Sequence, residues 1–294
     1  RRSEPIHVSF PGGVGDASSS IASKAGDRGA IVERAGGPKE GSAVQDVYRR
    51  VAPSTVIVRS QRGYGTGVIY DPAGWILTNH HVIAHPWHED FRWKVKVALG
   101  KLSKQGVMEK REKLYDAYVH KIAPLIDLAV IKLVNPPKDL KAVPISPKDP
   151  TPGEAVSAIG HAGIGLVWAI KDGQISAVGK LSTHLAQLML HDPKNKEQLK
   201  SWSAKRRTKM IEAYRKRLIK SKPALVIQST ADISQGDSGG PLVNRQSELV
   251  GLNAFVRGGR LARKESNFHI HVREIRKFIK NVPTAVPQLV PDPW

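Results

Sequence analysis

Residues 227–243 read IQSTADISQGDSGGPLV, and Gly236-Asp237-Ser238-Gly239-Gly240-Pro241 lies at the centre of this stretch. Glycines on both sides of a serine permit positive φ angles and let another backbone approach closely. They also free the N–H groups of Gly236 and Ser238 to point into one small space. Two such donors can stabilise the negative oxygen that forms when a hydroxyl attacks a carbonyl. Since a serine hydroxyl alone is a weak nucleophile, the chain must also supply a base and a group that orients the base.

Both groups occur upstream of the serine. The block WILTNHHVIA (75–84) contains two adjacent histidines, and the block DLAVIKL (127–133) opens with an aspartate. The chain order is therefore histidine, aspartate, serine. Together with GTGVI (65–69), GQISAV (173–178) and VGLN (250–253), these blocks resemble the chymotrypsin-like serine peptidases, and most closely the HtrA/Deg branch. The resemblance covers roughly residues 42–281.

The resemblance implies a nucleophile and a base. Ser238 is the expected nucleophile, and the N–H groups of Gly236 and Ser238 are expected to form the oxyanion hole. Two histidines compete for the role of base. In the family motif the catalytic histidine directly precedes a small aliphatic residue, here Val82, which selects His81 over His80.

Asp127 is the expected orienter of the base. Its role would be to accept the second imidazole N–H and to stabilise the imidazolium as it forms. Asp116 and Asp139 are rivals by position alone, but only Asp127 opens an apolar, strand-like run that would carry it to a cleft.

The residues that would bind the substrate leave two specificities open. Asp232 lies six residues before the serine, where trypsin-type enzymes carry the acid that binds lysine or arginine. Asn267 fills a pocket-wall position that is commonly glycine and would narrow the pocket, and Val256 would crowd its entrance. We therefore expect a small or medium pocket, with cleavage after basic residues as the second choice. The backbone of Ala254, Phe255 and Val256 is expected to pair with the substrate as an added strand.

The pattern of strands and turns predicts an all-β fold, with strands over residues 115–122 and 173–178 among others. Hydrophobic residues make up 40% of the chain, enough for a sizeable core, and 26 glycines and 20 prolines suit many short strands joined by turns. The resemblance implies two six-stranded antiparallel β-barrels with the active site between them, followed by a closing helix over residues 272–279. The predicted divisions are a flexible arm (1–41), a peptidase domain (42–282, with barrels at about 55–135 and 153–272) and a proline-rich tail (283–294).

A basic insertion departs from the family pattern. Residues 180–222 have a helical pattern and contain 13 Lys/Arg against 3 Asp/Glu, a net charge of +10 in a chain whose total is +20. Such a segment predicts contact with a polyanion, either nucleic acid, anionic lipid or an acidic protein. The other interpretations are a solvated insertion, or a helix that packs against a second copy in a homo-oligomer.

The cysteine content and the spacing of the histidines limit which disulfides and metal sites this chain can form. The chain has no cysteine, so a disulfide scaffold is excluded. His81, His85 and His88 have zinc-like spacing, but Pro86 would interrupt the helix they need. We therefore expect no metal and no cofactor.

The first residue and the length of the apolar runs bear on the cellular location of the protein. No apolar run approaches the roughly 20 residues that span a bilayer. Residue 1 is arginine, so we expect a processed or truncated form. A periplasmic or secreted location is favoured over the cytoplasm.

Two functions follow from these observations. The first is a serine endopeptidase that hydrolyses polypeptides through His81, Asp127 and Ser238. The alternative is a protease-fold protein that binds polyanions through its basic surface. The complete set of three catalytic residue types favours the enzyme.

Overall fold

The computed structural model describes residues 42–60, 63–83, 94–162, 167–181, 223–257 and 266–280, and also residues 203, 208, 212, 216 and 282. All of them lie in the compact unit Gly41–Trp294. The predicted arm (1–41) and tail (283–294) lie outside the described residues. Of the predicted insertion, Thr208, Glu212 and Lys216 are helical and exposed, and most of the remainder lies outside the description.

The first half of the chain forms a closed antiparallel barrel. Its strands pair in the order β1-β2-β3-β6-β5-β4, so that β4 returns to β1. Rich β-branched content favours strands in this segment. The bounds are β1 Thr55–Ser60, β2 Gly63–Asp71, β3 Trp75–Thr78, β4 Lys94–Leu102, β5 Met108–Ala123 and β6 Leu128–Leu133.

The second half forms a second closed barrel of the same size, with strand order β10-β11-β12-β9-β8-β7. The bounds are β7 Ala155–Gly160, β8 Ala169–Lys180, β9 Leu225–Ser229, β10 Pro241–Asn244, β11 Leu249–Arg257 and β12 Ser266–His271. The predicted fold of two six-stranded antiparallel barrels is confirmed.

Besides the helical positions 208, 212 and 216, three α-helices accompany the barrels in the described part of the chain. They are α1 Ala43–Val51, the single turn α2 His80–Ile83, and α3 Val272–Ile279, whose bounds are those predicted. The His271 side chain caps α3 by accepting the Arg273 N–H at 3.0 Å, and Lys121 donates to the Phe278 carbonyl at 2.6 Å near the other end. A cation at a helix C-terminus is favourable because it satisfies a free carbonyl and opposes the helix dipole. None of the described helices is long and apolar enough to cross a membrane.

A shared apolar core joins the two barrels. One cluster of buried side chains contains Val68 and Leu77 from the first barrel together with Ile159 and Leu252 from the second. Trp168 belongs to the same cluster, is 1% exposed, and donates its indole N–H to the Thr55 carbonyl at 2.8 Å. Burial of each such large side chain stabilises the fold by about 1.5–3 kcal/mol. This core therefore keeps the two barrels packed against each other.

The structure extends two strands beyond their predicted starts. The sequence pattern predicted a strand from Tyr115, yet β5 begins at Met108; another was predicted from Gly173, yet β8 begins at Ala169. Most of residues 109–114 are charged and mainly exposed, so that alternation of apolar residues, the usual signal of a strand, is absent there. The segment is a strand because it pairs with β4, which local sequence cannot reveal.

Candidate active site

Asp127 stands where β6 begins, and its backbone is held in an unusual conformation. It follows the short 3₁₀ turn Pro124–Ile126 and has φ 55° and ψ 40°, in the left-handed region. Aspartate tolerates this region better than most residues. The Asp127 carbonyl accepts the His80 N–H at 3.2 Å and the Asn79 side-chain amide at 2.9 Å. These bonds tie the start of β6 to the end of β3.

The carboxylate of Asp127 holds His81 by two hydrogen bonds. Oδ1 accepts the backbone N–H of His81 at 2.9 Å, and Oδ2 lies 2.7 Å from the imidazole Nδ1. Because a carboxylate only accepts, Nδ1 must carry a proton, which leaves Nε2 as an acceptor in the neutral ring. The ring is therefore oriented and has its basic nitrogen facing away from Asp127.

The two neighbouring histidines differ in their ionisation. Burial lowers the pKa of His81, but the charge of Asp127 and its hydrogen bond outweigh that effect and leave the pKa of His81 above its usual value of 6.5. Burial of His80 lowers its pKa, and the charge of Asp127 only partly opposes this. His80 is 2% exposed and its Nε2 has no hydrogen-bond partner among the described residues. Of the two, His81 alone is paired and oriented by the carboxylate.

The turn that carries Ser238 has two glycines with positive φ. Gly236 has φ 101° and Gly239 has φ 86°. A Cβ on Gly239 would lie 2.0 Å from the Thr66 carbonyl oxygen, so no larger residue fits there. The Gly239 N–H donates to the Asn253 carbonyl at 2.8 Å, which fastens the turn to β11.

Thr66 on β2 connects the first barrel to this turn. Its N–H donates to the Ser238 carbonyl at 2.8 Å, and its hydroxyl donates to the Gly236 carbonyl at 2.7 Å. The same hydroxyl oxygen accepts the His161 N–H at 3.2 Å. With both neighbouring carbonyls engaged, the peptide groups around Asp237 have a fixed orientation.

The N–H groups of Gly236 and Ser238 are available to a ligand. Among the hydrogen bonds of the described residues, neither donates to an acceptor within the protein. The arrangement provides two adjacent donors of the kind that an oxyanion needs.

The described hydrogen bond of the Ser238 hydroxyl goes to a backbone carbonyl and not to His81. A Cβ on Gly65 would lie 2.7 Å from the Val82 side chain and 3.1 Å from the Ser238 carbonyl, so the residue after His81 and the serine backbone flank the same glycine. Ser238 Oγ donates to the Ala254 carbonyl at 3.0 Å. No hydrogen bond between Ser238 Oγ and His81 is present among those of the described residues.

The residues predicted to bind substrate occupy different positions around the second barrel. Asp232 is exposed, whereas Asn267 is 5% exposed and its Oδ1 accepts the Ile233 N–H at 3.3 Å. Ala254 is buried on β11. Phe255 and Val256 pair with Phe268 and Asn267 of β12, and their side chains lie outside the description.

Strand β11 has an unpaired edge beside the serine. Its pairing with β10 ends at Leu252, so that the segment from Ala254 onward has β12 as its only described strand partner. An extended peptide could add to that edge by backbone hydrogen bonds.

Several residues that shape this site had no role predicted from the sequence. Thr66 lies in the GTGVI block used for the resemblance, and only its contacts across the two barrels identify it. Lys171 forms an ion pair with the buried Asp237. Nothing in the local sequence around Lys171 indicates this contact, since the two residues are 66 positions apart.

Within the described ranges, no group of three or more histidines, aspartates or glutamates could hold a metal ion. His85 and His88, which were considered as zinc ligands, lie outside the described residues.

Comparison with known proteins gives consistent similarities. The profile of the trypsin-like peptidase domain family matches residues 65–252. The serine endoprotease DegS of Salmonella typhimurium is 30% identical over 215 residues, which cover 72% of this chain and 46% of that protein. The periplasmic serine endoprotease DegP of Salmonella typhimurium is 29% identical over 224 residues, which cover 76% and 35%.

A solved structure shares the fold. The serine endoprotease from Yersinia pestis superimposes with a TM-score of 0.54 at 27% identity, covering 82% of this chain and 66% of that one. The chain spans less than half the length of the curated relatives named above, at 46% and 35%. The residues that the family profile matches include the three predicted catalytic residues, at positions 81, 127 and 238.

Proposed function

Because the chain belongs to the trypsin-like peptidase domain family, we propose that it is a serine endopeptidase that acts through Ser238, His81 and Asp127. The observation that carries the proposal is the carboxylate of Asp127, which holds His81 by two hydrogen bonds and makes Nε2 the proton-accepting nitrogen of the neutral ring. The relatives' names describe them as serine endoproteases, and the proposal extends that activity to this chain.

The first half of the reaction forms an acyl-enzyme. His81 Nε2 takes the proton of Ser238 Oγ as Oγ attacks the carbonyl carbon of the scissile peptide bond. The carbonyl oxygen becomes negative and accepts hydrogen bonds from the N–H groups of Gly236 and Ser238. Asp127 stabilises the imidazolium. His81 then gives its proton to the leaving amine as the C–N bond breaks.

The second half returns the enzyme to its starting state. His81 takes a proton from a water molecule, whose oxygen attacks the acyl carbon. The same two N–H groups stabilise the second oxyanion, and His81 returns the proton to Ser238 Oγ as the ester bond breaks. No cofactor enters either half.

The resting serine must move before it attacks. Its hydroxyl donates to the Ala254 carbonyl, an acceptor on the strand edge that a substrate peptide would approach. Rotation about χ1 would bring Oγ to His81 Nε2 once substrate is seated. Catalytic hydrogen bonds are often absent or long before substrate binds, so the resting bond to Ala254 is compatible with the mechanism.

Asn267 supports cleavage after small or medium apolar residues. Its buried side chain accepts the Ile233 N–H at a position where the family commonly has glycine, so it would narrow the pocket, and Asp232 is exposed. A panel of peptides that differ only in the residue before the scissile bond tests this specificity. Cleavage only after arginine or lysine would instead indicate that Asp232 binds the side chain at this position.

Covalent labelling tests the catalytic assignment. A fluorophosphonate probe is expected to label the parent chain at Ser238 and to leave Ser238→Ala unlabelled. His81→Ala should slow labelling by at least about 10³-fold, since the activating base is lost. His80→Ala should stay within about tenfold of the parent, because the His80 side chain has no described hydrogen-bond partner. A folded parent chain that resists the probe, or a His81→Ala chain that labels as fast as the parent, would overturn the assignment.

The net charge of +20 favours a second function, polyanion binding. Half of that excess lies in residues 180–222, where Thr208, Glu212 and Lys216 are exposed. Affinity for DNA or heparin should fall steeply between about 50 and 500 mM salt as counterion release weakens. Binding that ignores salt over this range would contradict the proposal.

The location and self-association of the chain are also proposals. One relative is named as periplasmic, which supports a periplasmic or secreted location for this chain. Fractionation of the source cells, with the protein found in the cytoplasmic fraction, would contradict it. A homo-oligomer is tested by sedimentation of the purified chain.

A further inference from the structure

Asp237 is a buried carboxylate directly before the proposed nucleophile. Its side chain is 1% exposed. Oδ2 accepts the Ser234 N–H at 2.7 Å and the Ser234 hydroxyl at 3.0 Å, and the Asp237 N–H donates back to the Ser234 carbonyl at 3.1 Å. These bonds close residues 234–237 into a compact loop whose shape depends on where the carboxylate is held.

One lysine from a distant strand neutralises this carboxylate. Lys171 on β8 extends its Nζ to Asp237 Oδ2, and its side chain is 19% exposed. The next residue, Asp172, is engaged elsewhere, with Arg245 and Ser157. Among the described residues, Lys171 is the only cation bonded to Asp237.

The carboxylate has no room to move. A Cβ on Gly160 of β7 would lie 2.4 Å from Asp237 Oδ1, so the carboxylate packs directly against that strand. Lys171 pairs with Ala158 of the same strand, which places its side chain within reach. Oδ1 has no hydrogen-bond partner among the described residues. The described ion pair with Lys171 and both bonds from Ser234 are therefore made by Oδ2.

A buried carboxylate without its cation is strongly unfavourable. Removal of one partner of a buried ion pair leaves an uncompensated charge, and the structure then relaxes to expose or protonate it. For Asp237 either response would move the loop that includes Gly236 and leads into Ser238. Those two residues supply the N–H groups that we assign to the oxyanion.

We propose that Lys171 is a positioning residue whose charge holds Asp237 and thereby keeps the N–H groups of Gly236 and Ser238 directed at the oxyanion. This inference rests on the proposed peptidase function. Lys171 contacts neither the substrate nor the reacting atoms, and it acts only through Asp237.

Substitution of Lys171 should impair the transition state more than substrate binding. Lys171→Met keeps the length of the side chain and removes its charge. We expect kcat on a peptide substrate to fall by about 100-fold, as when an oxyanion donor is lost, with KM within about threefold of the parent. Lys180→Met on the same strand, where the lysine is exposed, is the matched control and should keep both constants.

Two further variants separate positioning from general stability. Lys171→Arg retains the cation and should recover at least a tenth of the parent kcat. In the double variant Lys171→Met/Asp237→Asn, an amide oxygen can still accept from Ser234 and needs no counter-charge. It should therefore be about tenfold more active than Lys171→Met alone. A Lys171→Met kcat within threefold of the parent, or a double variant no better than the single one, would overturn the inference.

Hydrogen exchange provides a readout that does not need activity. The Asp237 and Gly240 amides donate within this turn, and in Lys171→Met they should exchange at least about tenfold faster than in the parent, with unchanged exchange in β2. If the parent chain proves inactive, the proposed function fails while this measurement still decides the role of Lys171. Unchanged exchange at both amides would reject that role.

Discussion

His80 and His81 are neighbours in the chain, yet the fold places their imidazoles in opposite environments. His81 lies in the partly exposed site, with a side chain that is 34% exposed, and donates to a carboxylate. His80 is 2% exposed and has no described side-chain partner. Since an imidazole that is buried without a counter-charge avoids protonation, only His81 is suited to gain and release a proton near neutral pH.

The pairing of His81 with Asp127 predicts a pH dependence of activity. The base must be neutral to accept the serine proton, and Asp127 raises the pKa of His81 above 6.5. We therefore expect kcat/KM to rise with pH and to level off above a midpoint higher than 6.5. In Asp127→Asn the charge is lost, so the midpoint should move downward. The maximal kcat should fall by about 10³–10⁴-fold, the known effect of removing the orienting carboxylate of such a triad.

The measurement is kcat/KM of an uncharged peptide ester between pH 5 and 9. Asp116→Asn is the matched control, because Asp116 pairs with Lys96 at 2.7 Å on the surface and its side chain is 47% exposed. Its midpoint should equal that of the parent. An Asp127→Asn midpoint at or above the parent value would contradict the assignment of Asp127.

At the scale of elements, β2 determines how the first barrel meets the turn that carries Ser238. Gly65 leaves space for Val82 and for the Ser238 carbonyl. Thr66 donates to both carbonyls that flank Asp237. The Thr66 carbonyl in turn accepts the Thr78 hydroxyl at 2.7 Å, which anchors β2 to β3.

Loss of the Thr66 hydroxyl should weaken the turn without dismantling the barrels. Thr66→Val keeps the shape of the side chain but leaves the Gly236 carbonyl and the His161 N–H without their partner. We expect a loss of about 1–3 kcal/mol in the free energy of unfolding, because buried groups become unsatisfied. kcat should fall by about tenfold or more, since the peptide at Gly236 loses its fixed orientation.

Thr66→Ser is the matched control because it retains the hydroxyl. Denaturant unfolding and steady-state kinetics on the three chains make the comparison. The prediction is wrong if Thr66→Ser loses as much kcat as Thr66→Val, since the methyl group and not the hydroxyl would then be responsible.

At the scale of the whole molecule, the second barrel carries two buried neutral histidines, one just after β7 and one on β12. His161 and His269 are each 0% exposed. Burial lowers the pKa of each to about 3. His269 lies between Ser229 Oγ at 2.7 Å and Asn253 Oδ1 at 2.9 Å, in a network of three strands.

These histidines predict acid sensitivity of the fold. Between pH 6.5 and 3 the unfolded chain binds a proton at each histidine and the folded chain does not, so stability falls as the pH falls. Each should contribute a slope of about 1.4 kcal/mol per pH unit well inside that window. His81, with a raised pKa, has the opposite sign, and its contribution is already complete below 6.5.

The measurement is the free energy of unfolding between pH 5.5 and 4.5, where any contribution from titrating carboxylates is common to both chains and cancels in the comparison. His269→Gln should show a slope shallower than the parent by about 1.4 kcal/mol per pH unit. Equal slopes for the two chains would contradict the interpretation of His269 as buried and neutral.

The sequence alone predicted the two-barrel class, the terminal helix and the set of three catalytic residue types. The many short strands and turns indicated the β class, and the motifs at residues 75–84, 127–133 and 236–241 carried the family resemblance, which implied the two barrels and the terminal helix. The early start of β5 escaped prediction because residues 109–114 lack the apolar alternation typical of a strand. Most of the predicted insertion lies outside the described residues, so its helix stays a prediction for those positions.

What the sequence determined by itself is the chemistry available to this protein, since motif and composition supply a serine between glycines, two histidines, an aspartate and an excess of positive charge. Only the tertiary structure decided which groups meet. It brought the Asp127 carboxylate to the imidazole of His81, which the family motif had already favoured over His80. It also turned the serine hydroxyl toward Ala254 and placed Lys171 on the buried Asp237. The physical reason is that hydrogen bonds and ion pairs act over a few ångströms, and partners separated by 46 and 66 positions come within that range only when both barrels have closed.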